Sequence, residues 1–501
     1  MENTRQDIFT QIEHWAKDLS GPNILWINGF PGAGKSAIAS SAVAHFRASH
    51  RLGSFFFFER SKALSQTPSA LWRRVAYDLS QIYPTARNMI VAKLKEDEAV
   101  VSTANIIQLF NELVRLPLSS KVEFPAGRMP IVVIDALDEC GGLDGSRSIY
   151  RRHLLNTIKQ WSYLQPSFKL LVTSRIENDI SQVFQSISDS VVSIELFTGS
   201  SVSLKSASDI GFYLSNSFAE VRNEYSSLSA LEWPGVEAIK ALTDQAAGLF
   251  IWAKTIVDFV KEGDPTEQLE QILLGNLSKG SIDELYCLIL KIAFKNPSPK
   301  VKKAIQMITG TIIAVKTPVS SNDVLALYPS VILPIMMEYV CRGLKSVLAA
   351  DSITLQFSHQ SFIDFLTCSQ KCPPEYRFQA SVQNQQLCIA CLELMESNLC
   401  FNICRLQTSH LCNDDVPDIN KLVQKYIPSQ LHYACHFWAD HLGQTQYEER
   451  IIKDIQRFIY TKFLFWLEVL SLTKKMQLCS MALTQVATWV EVSIGLFLYM
   501  Q

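Results

Sequence analysis

Residues Gly29-Phe30-Pro31-Gly32-Ala33-Gly34-Lys35-Ser36 carry the spacing GxxxxGK[ST] in full. Small residues in such a run let consecutive backbone N–H groups converge on a phosphate, and a helix opening at its end adds a positive dipole. Lys35 supplies a cation for β- and γ-phosphates, the Ser36 hydroxyl reaches Mg²⁺, and Ala37 completes the cradle. The bland alternative, a glycine-rich turn that merely joins a strand to a helix, is outweighed by the complete octapeptide and its flanks.

A second group of residues completes the chemistry. Ile131-Val132-Val133-Ile134-Asp135 is an apolar run closing on a carboxylate, 100 residues beyond Lys35, with Asp138 and Glu139 directly after it. An acid at the end of a buried strand sits at the sheet's carboxyl edge, where open α/β sheets bind ligands, and there Asp135 holds Mg²⁺. Asp138 or Glu139 then orients or deprotonates a water, although acids also favour the first turn of a solvated helix. Leu170-Leu171-Val172-Thr173-Ser174-Arg175 ends another strand on polar groups, where Arg175 either senses a terminal phosphate or caps the strand at the surface. No N-K-x-D guanine-reading stretch occurs, which favours ATP over GTP.

These residues need a scaffold, and the surrounding pattern supplies one. Ile8, Ile12, Trp15 and Leu19 form one helical face before Ser20-Gly21-Pro22 stops it. Short apolar runs then alternate with helical stretches: Ile24–Ile27, Ser54–Phe58, Ile131–Ile134, Phe168–Val172 and Val191–Leu196. Five such runs predict a parallel sheet covered on both faces, with Phe55–Phe58 as a central strand buried on both sides. Helical periods dominate from about 205 to 300, and Asn296-Pro297-Ser298-Pro299 reads as a connector. A β pair is predicted at Ser346–Ala349 and Ile353–Phe357, turned by Ala350-Asp351-Ser352, and helices follow Pro373-Pro374.

Composition narrows the class. The 501 residues hold 46 Lys+Arg against 48 Asp+Glu, so no strong field favours nucleic acid or an anionic membrane. A hydrophobic share of 48% excludes disorder by composition, and 20 Gly with 19 Pro is a low total that suits long helices. Twelve irregularly spaced cysteines point to a reducing compartment. Met1–Lys17 lacks the apolar core of a signal peptide, and Val486–Met500 is broken by Thr488 and Glu491. The expectation is a cytoplasmic protein that uses neither membrane nor nucleic acid as partner.

GFPGAGKS, IVVIDALDEC and LVTSR together resemble the NACHT group of STAND-type P-loop NTPases, in the fungal type with a nephrocystin-like N-terminal NTPase domain. Ala247–Ala253 is similar to the helical segment of that family, Phe357–Leu366 to the end of its winged-helix domain, and Leu431–Cys435 with Trp438 and Phe465–Glu468 to its later helices. The resemblance spans about 20 to 475. It implies an α/β P-loop NTPase parallel sheet followed by helical and winged-helix domains and a C-terminal helical region. The boundaries read 1–20 for an N-terminal helix, 21–200, 201–304, 305–372 and 373–501. It also implies a nucleotide-operated switch, closed on ADP and opened by ATP for self-association, with an unidentified protein ligand or effector. His359 occupies the place of a histidine that contacts the ADP β-phosphate; read locally, it is a satisfied structural histidine, and both readings stand. Only about 20 residues precede the NTPase segment and no repeats follow it, which reads as a short form, a truncated frame or a partner-dependent module.

Rival readings are a scaffold that binds nucleotide without turnover and a P-loop small-molecule kinase. Cys388-x₂-Cys391, with His410 or His432, has the beginnings of a zinc set, but its helical spacing marks it as core. Five lysines between Lys291 and Lys303 read as a solvated linker, and the helix around Leu333–Leu344 is too poor in cations to be a DNA reader.

Overall fold

The computed structural model describes residues 4–119, 130–141, 148–199, 202–225, 228, 232–275, 277–349, 353–408 and 410–499. The chain forms two compact units, one running to Leu288 and one beginning at Ile289.

The first unit is built on five strands: β1 Ile24–Gly29, β2 Leu52–Phe57, β3 Ile131–Asp135, β4 Lys169–Ser174 and β5 Val191–Leu196. They are parallel throughout and lie in the order β2-β3-β4-β1-β5. Alternate residues of each strand feed separate cores on the two faces, which is why the central runs are continuously apolar. Leu25, Ile27, Val133 and Leu171 pack with Ile38 and Phe46, and with Ile8, Ile12 and Trp15 of the N-terminal helix Gln6–Lys17. Ile24, Trp26, Ile134 and Val172 pack on the opposite side with Trp72, Phe110 and Trp161.

The expectation of a central strand at Phe55–Phe58 is corrected. Among the described residues β2 is an edge strand that pairs only with β3, and Phe55, Phe56 and Phe57 are half-buried. Its aromatic run is covered by side chains rather than by a second strand: Arg47 and Arg74 lie 5.3 and 5.8 Å from the Phe55 ring centroid. Four consecutive aromatics therefore do not distinguish a central strand from an edge strand that packs Phe56 on one core and Phe55 and Phe57 on the other.

The second unit is helical. Its first long helix, Pro299–Ala314, starts where Ser298 caps it by accepting from the Val301 N–H at 3.4 Å, as the Asn296–Pro299 connector predicts. The predicted β pair shrinks to one bridge, Leu348 with Phe357. Around it the Ala349 N–H donates to the Gln356 carbonyl at 2.9 Å and the Ser358 N–H to the Val347 carbonyl at 2.8 Å, and the Leu355 N–H, facing the other way, donates to the Val319 carbonyl at 2.7 Å. The turn predicted at 350–352 lies outside the described residues. Cys388 and Cys391 are buried on the helix Ala380–Asn398 among Leu387, Leu392 and Met395, and burial pushes the Cys388 thiol up to about 12. They are core residues.

Within the same unit His441 is fully buried. Its Nδ1 lies 2.7 Å from Asn384 Oδ1 and its Nε2 lies 2.8 Å from the Tyr433 hydroxyl. That hydroxyl accepts from the Lys316 N–H at 3.1 Å, so its own proton goes to Nε2 and the imidazole is neutral with Nδ1 protonated. Burial brings the His441 pKa down to about 3. No helix among the described residues is long and apolar enough to cross a membrane.

A candidate phosphate-binding site at the sheet edge

β1 ends at Gly29 and the next helix, Lys35–Ala48, begins six residues later. The turn between them is possible because Gly32 and Gly34 take left-handed backbone, φ +80° and +97°. Gly32 is also a close-approach site, since a Cβ there would lie 1.9 Å from Ile251 Cγ2. The Ala33 N–H donates to the Phe30 carbonyl at 3.3 Å and closes the turn. Lys35 folds over the loop, donating from Nζ to the Gly29 and Phe30 carbonyls at 2.7 and 2.9 Å.

β4 lies between the strand that feeds this loop and the strand that carries Asp135, so the polar tip of β4 fills the gap between them. Asp135 is buried. Its carboxylate accepts from the Thr173 hydroxyl of β4 and pairs with the Ser36 side chain at the start of the loop helix. Burial raises its pKa, and the two hydroxyls oppose that. After Asp135 the chain turns sharply at Ala136, φ +53°, whose N–H donates to Thr173 Oγ1 at 3.1 Å. Asp138 is buried and accepts twice from Arg175, from the backbone N–H at 2.9 Å and from Nε at 3.1 Å. Glu139 accepts from the Arg60 N–H at 3.2 Å, and burial, with Asp138 beside it, pushes its carboxyl up to about 7.

Lys35 belongs to the same neighbourhood. Burial lowers its ammonium to about 8; Asp138, Asp135 and Glu139 counter this, and Arg175 adds to it. The fold thus gathers Lys35, Ser36, Asp135, Asp138, Glu139 and Arg175, which the chain spreads over 141 residues. His359 lies in the second unit, where it caps the helix Gln360–Cys368, its Nδ1 accepting from the Ser361 N–H at 3.0 Å.

Two arginines that support the site were missed by motif reading. Arg151 is fully buried, donates to the Asp138 carbonyl at 2.9 Å and pairs with Glu177 and Asp179 at 2.6 and 2.9 Å. Arg5 is buried against the outside of the loop and donates to the Ala33 carbonyl at 3.1 Å. A signal for both existed: Arg151 shares a helical stripe with Leu154, Leu155 and Ile158, and Arg5 shares one with Ile8, Ile12 and Trp15. A charge on an apolar stripe is either paired inside or misplaced.

A glycine loop between strand and helix, followed by a buried strand-borne aspartate one strand removed, defines a P-loop NTPase fold. Residues 3–175 match the family described as Nephrocystin 3, N-terminal. Vegetative incompatibility protein HET-E-1 of Podospora anserina is 25% identical in an alignment covering 93% of this chain and 34% of that protein, so the chain spans about a third of its relative. Among solved structures, a STAND protein with a tetratricopeptide repeat sensor from Pyrococcus horikoshii is 11% identical, covering 96% of this chain and 63% of that one with a TM-score of 0.38. A Walker-type ATPase of Pyrococcus abyssi is 14% identical, covering 72% and 97% with a TM-score of 0.33. The family match over residues 3–175 and the alignment with the fungal relative support a resemblance of this chain to NACHT/STAND-like NTPases.

Proposed function

We propose that this chain is an ATP/ADP-binding signalling switch of the NACHT/STAND class, in which slow hydrolysis governs opening and self-association. The observation that carries the reading is the meeting of Lys35 and Ser36 with buried Asp135 at one sheet edge. In it, the loop from Gly29 to Ala37 cradles the phosphates and Lys35 leaves its carbonyl partners for phosphate oxygens.

The donor set suits a magnesium ion: a hydroxyl and a carboxylate are hard oxygen ligands, and Asp135 pairs with hydroxyls, which a hard cation can share. Ser36 and Asp135 would hold it, and the ion would neutralise charge on the phosphates. Both contacts of the Asp138 carboxylate go to Arg175, so Glu139 is the acid left to position water, and a carboxyl titrating near 7 is half protonated at neutral pH. That arrangement supports slow turnover, and Arg175 reports phosphate occupancy to Asp138. The moving parts are the segments 21–200, 201–304, 305–372 and 373–501, with His359 as the winged-helix contact to ADP. Self-association, and a protein ligand or effector, complete the reading.

The test is titration of the purified chain with Mg·ADP and Mg·ATP, alongside light scattering. Lys35→Ala removes a cation that makes two hydrogen bonds, worth about 3 kcal/mol or roughly 100-fold in affinity. Unchanged affinity in that variant refutes the reading. Tightly held ADP with no phosphate release and no change of mass with ATP selects the scaffold instead.

A further inference from the structure

Arg5 immediately precedes the N-terminal helix in left-handed backbone, φ +56°, and is only 8% exposed. Its Nη2 donates to the Ala33 carbonyl of the phosphate loop at 3.1 Å. Its Nη1 donates to the Ser206 hydroxyl on the helix Leu204–Glu224. The guanidinium stands 5.1 Å from the ring centroid of Phe250, the first residue of the helix Phe250–Lys261. The Arg5 backbone N–H donates to Asp209 Oδ2 at 3.0 Å, which fixes the residue to the same helix as Ser206. One residue away on the loop, the Gly32 carbonyl accepts from the Ile251 N–H at 3.2 Å. Two successive carbonyls of the loop are therefore held by groups that come from outside it.

Those carbonyls decide where the loop's donors point. In a trans peptide the C=O and the following N–H face opposite ways, so holding the Ala33 oxygen on Arg5 aims the Gly34 N–H away from Arg5. Gly34 cannot set that peptide by itself. It has no Cβ, stands at φ +97°, and tolerates the flipped peptide at little cost. A loop whose own residues permit several peptide orientations needs an external clamp to be preorganised for an anion.

We propose that Arg5 is a positioning residue for the phosphate loop, and that through Ser206 and Phe250 it makes phosphate occupancy and the docking of the two helices interdependent. The inference rests on the nucleotide-binding reading above. It goes further in naming the element through which the loop and the helical segment sense one another. Coupling of this kind is reciprocal: the factor by which docked helices favour bound nucleotide is the factor by which bound nucleotide favours docked helices.

The experiment uses the full chain. Mg·ADP affinity is measured by calorimetry, and hydrogen exchange of residues 204–212 and 250–256 is followed with and without Mg·ADP. In the wild type, ADP slows exchange in both segments. Arg5→Ala weakens ADP roughly tenfold, the loss of one charge-assisted hydrogen bond, and abolishes the ADP-dependent protection. Arg5→Lys, which keeps the charge but cannot span both acceptors, lies between the two. A purely structural arginine would lower the melting temperature and leave the affinity of the folded protein and the protection unchanged, and that result overturns the proposal. If Arg5→Ala does not fold, Ser206→Ala serves. It keeps the Ala33 contact, so ADP affinity stays within about twofold while protection of 204–212 is lost; retained protection overturns the proposal. A wild type that takes up no ADP removes the nucleotide reading and this inference together, whereas a binding wild type with indifferent Arg5 variants removes this inference alone.

Discussion

Replacing Gly32 by alanine isolates the close packing at the outer face of the phosphate loop. Two costs are worked from the geometry. Alanine at φ +80° occupies left-handed backbone, about 1–2 kcal/mol. Its Cβ would also stand 1.9 Å from Ile251 Cγ2 and 2.9 Å from Ile251 Cβ, a collision that must be relieved by moving one element, about 1–3 kcal/mol. The sum is about 2–5 kcal/mol. Ile251→Ala alone empties a buried position and costs about 2–4 kcal/mol. In the double variant the Cγ2 collision is gone but the 2.9 Å contact with the Cβ of residue 251 remains, so the two effects fall short of additivity by only part of the collision cost, about 1–2 kcal/mol. Guanidinium denaturation of the four proteins, followed by tryptophan fluorescence, measures the shortfall. Full additivity, or a Gly32→Ala protein as stable as the wild type, refutes the claim that Ile251 closes on this glycine.

Glu139→Gln should change how stability depends on pH. The carboxyl is raised to about 7 in the folded protein from 4.5, so between those values the folded state holds a proton that the unfolded chain has released. Its contribution is complete below about 4.5 and is lost as pH rises through 7, on the order of 3 kcal/mol. The variant gains on the wild type over that window; denaturation midpoints at pH 5 and 8 that run parallel for the two proteins would contradict this. His441→Gln addresses the second unit. Here the folded pKa is depressed to about 3 from 6.5, so wild-type stability falls as pH drops from 6.5 toward 3 while the unfolded chain takes up a proton. The variant should be less stable near pH 7 by about 1–3 kcal/mol, from the broken Asn384–Tyr433 chain, and its acid slope should be shallower by one proton. Equal slopes would mean that the imidazole is not held neutral.

The sheet and the loop were legible because their signals are local. A glycine-rich turn between an apolar strand and a helix, and an apolar run ending on Asp135, are written in consecutive residues. The physics that acts on them, peptide geometry and burial of a strand on two faces, needs no distant partner. The same is true of the connector before Pro299 and of Cys388 and Cys391, whose helical spacing marked them as core. The edge position of β2 was not legible, because strand order is a property of pairing and the covering cations, Arg47 and Arg74, reach Phe55 from other elements. The β pair near 350 was legible only in part: Leu348 and Phe357 do meet in an antiparallel bridge.

The sequence by itself determined the phosphate loop, its strand-borne carboxylate and the class of sheet that carries them, since each is encoded within a dozen residues and rests on backbone chemistry. Only the tertiary structure decided how the site is finished. It placed Thr173 and Ser36 on Asp135, occupied the Asp138 carboxylate with Arg175, raised the Glu139 carboxyl as well as that of Asp135, and brought Arg5 and Ile251 against the loop's outer carbonyls. Those outcomes depend on which distant groups share a desolvated volume, and burial and charge proximity are set by the packed chain rather than by any stretch of it.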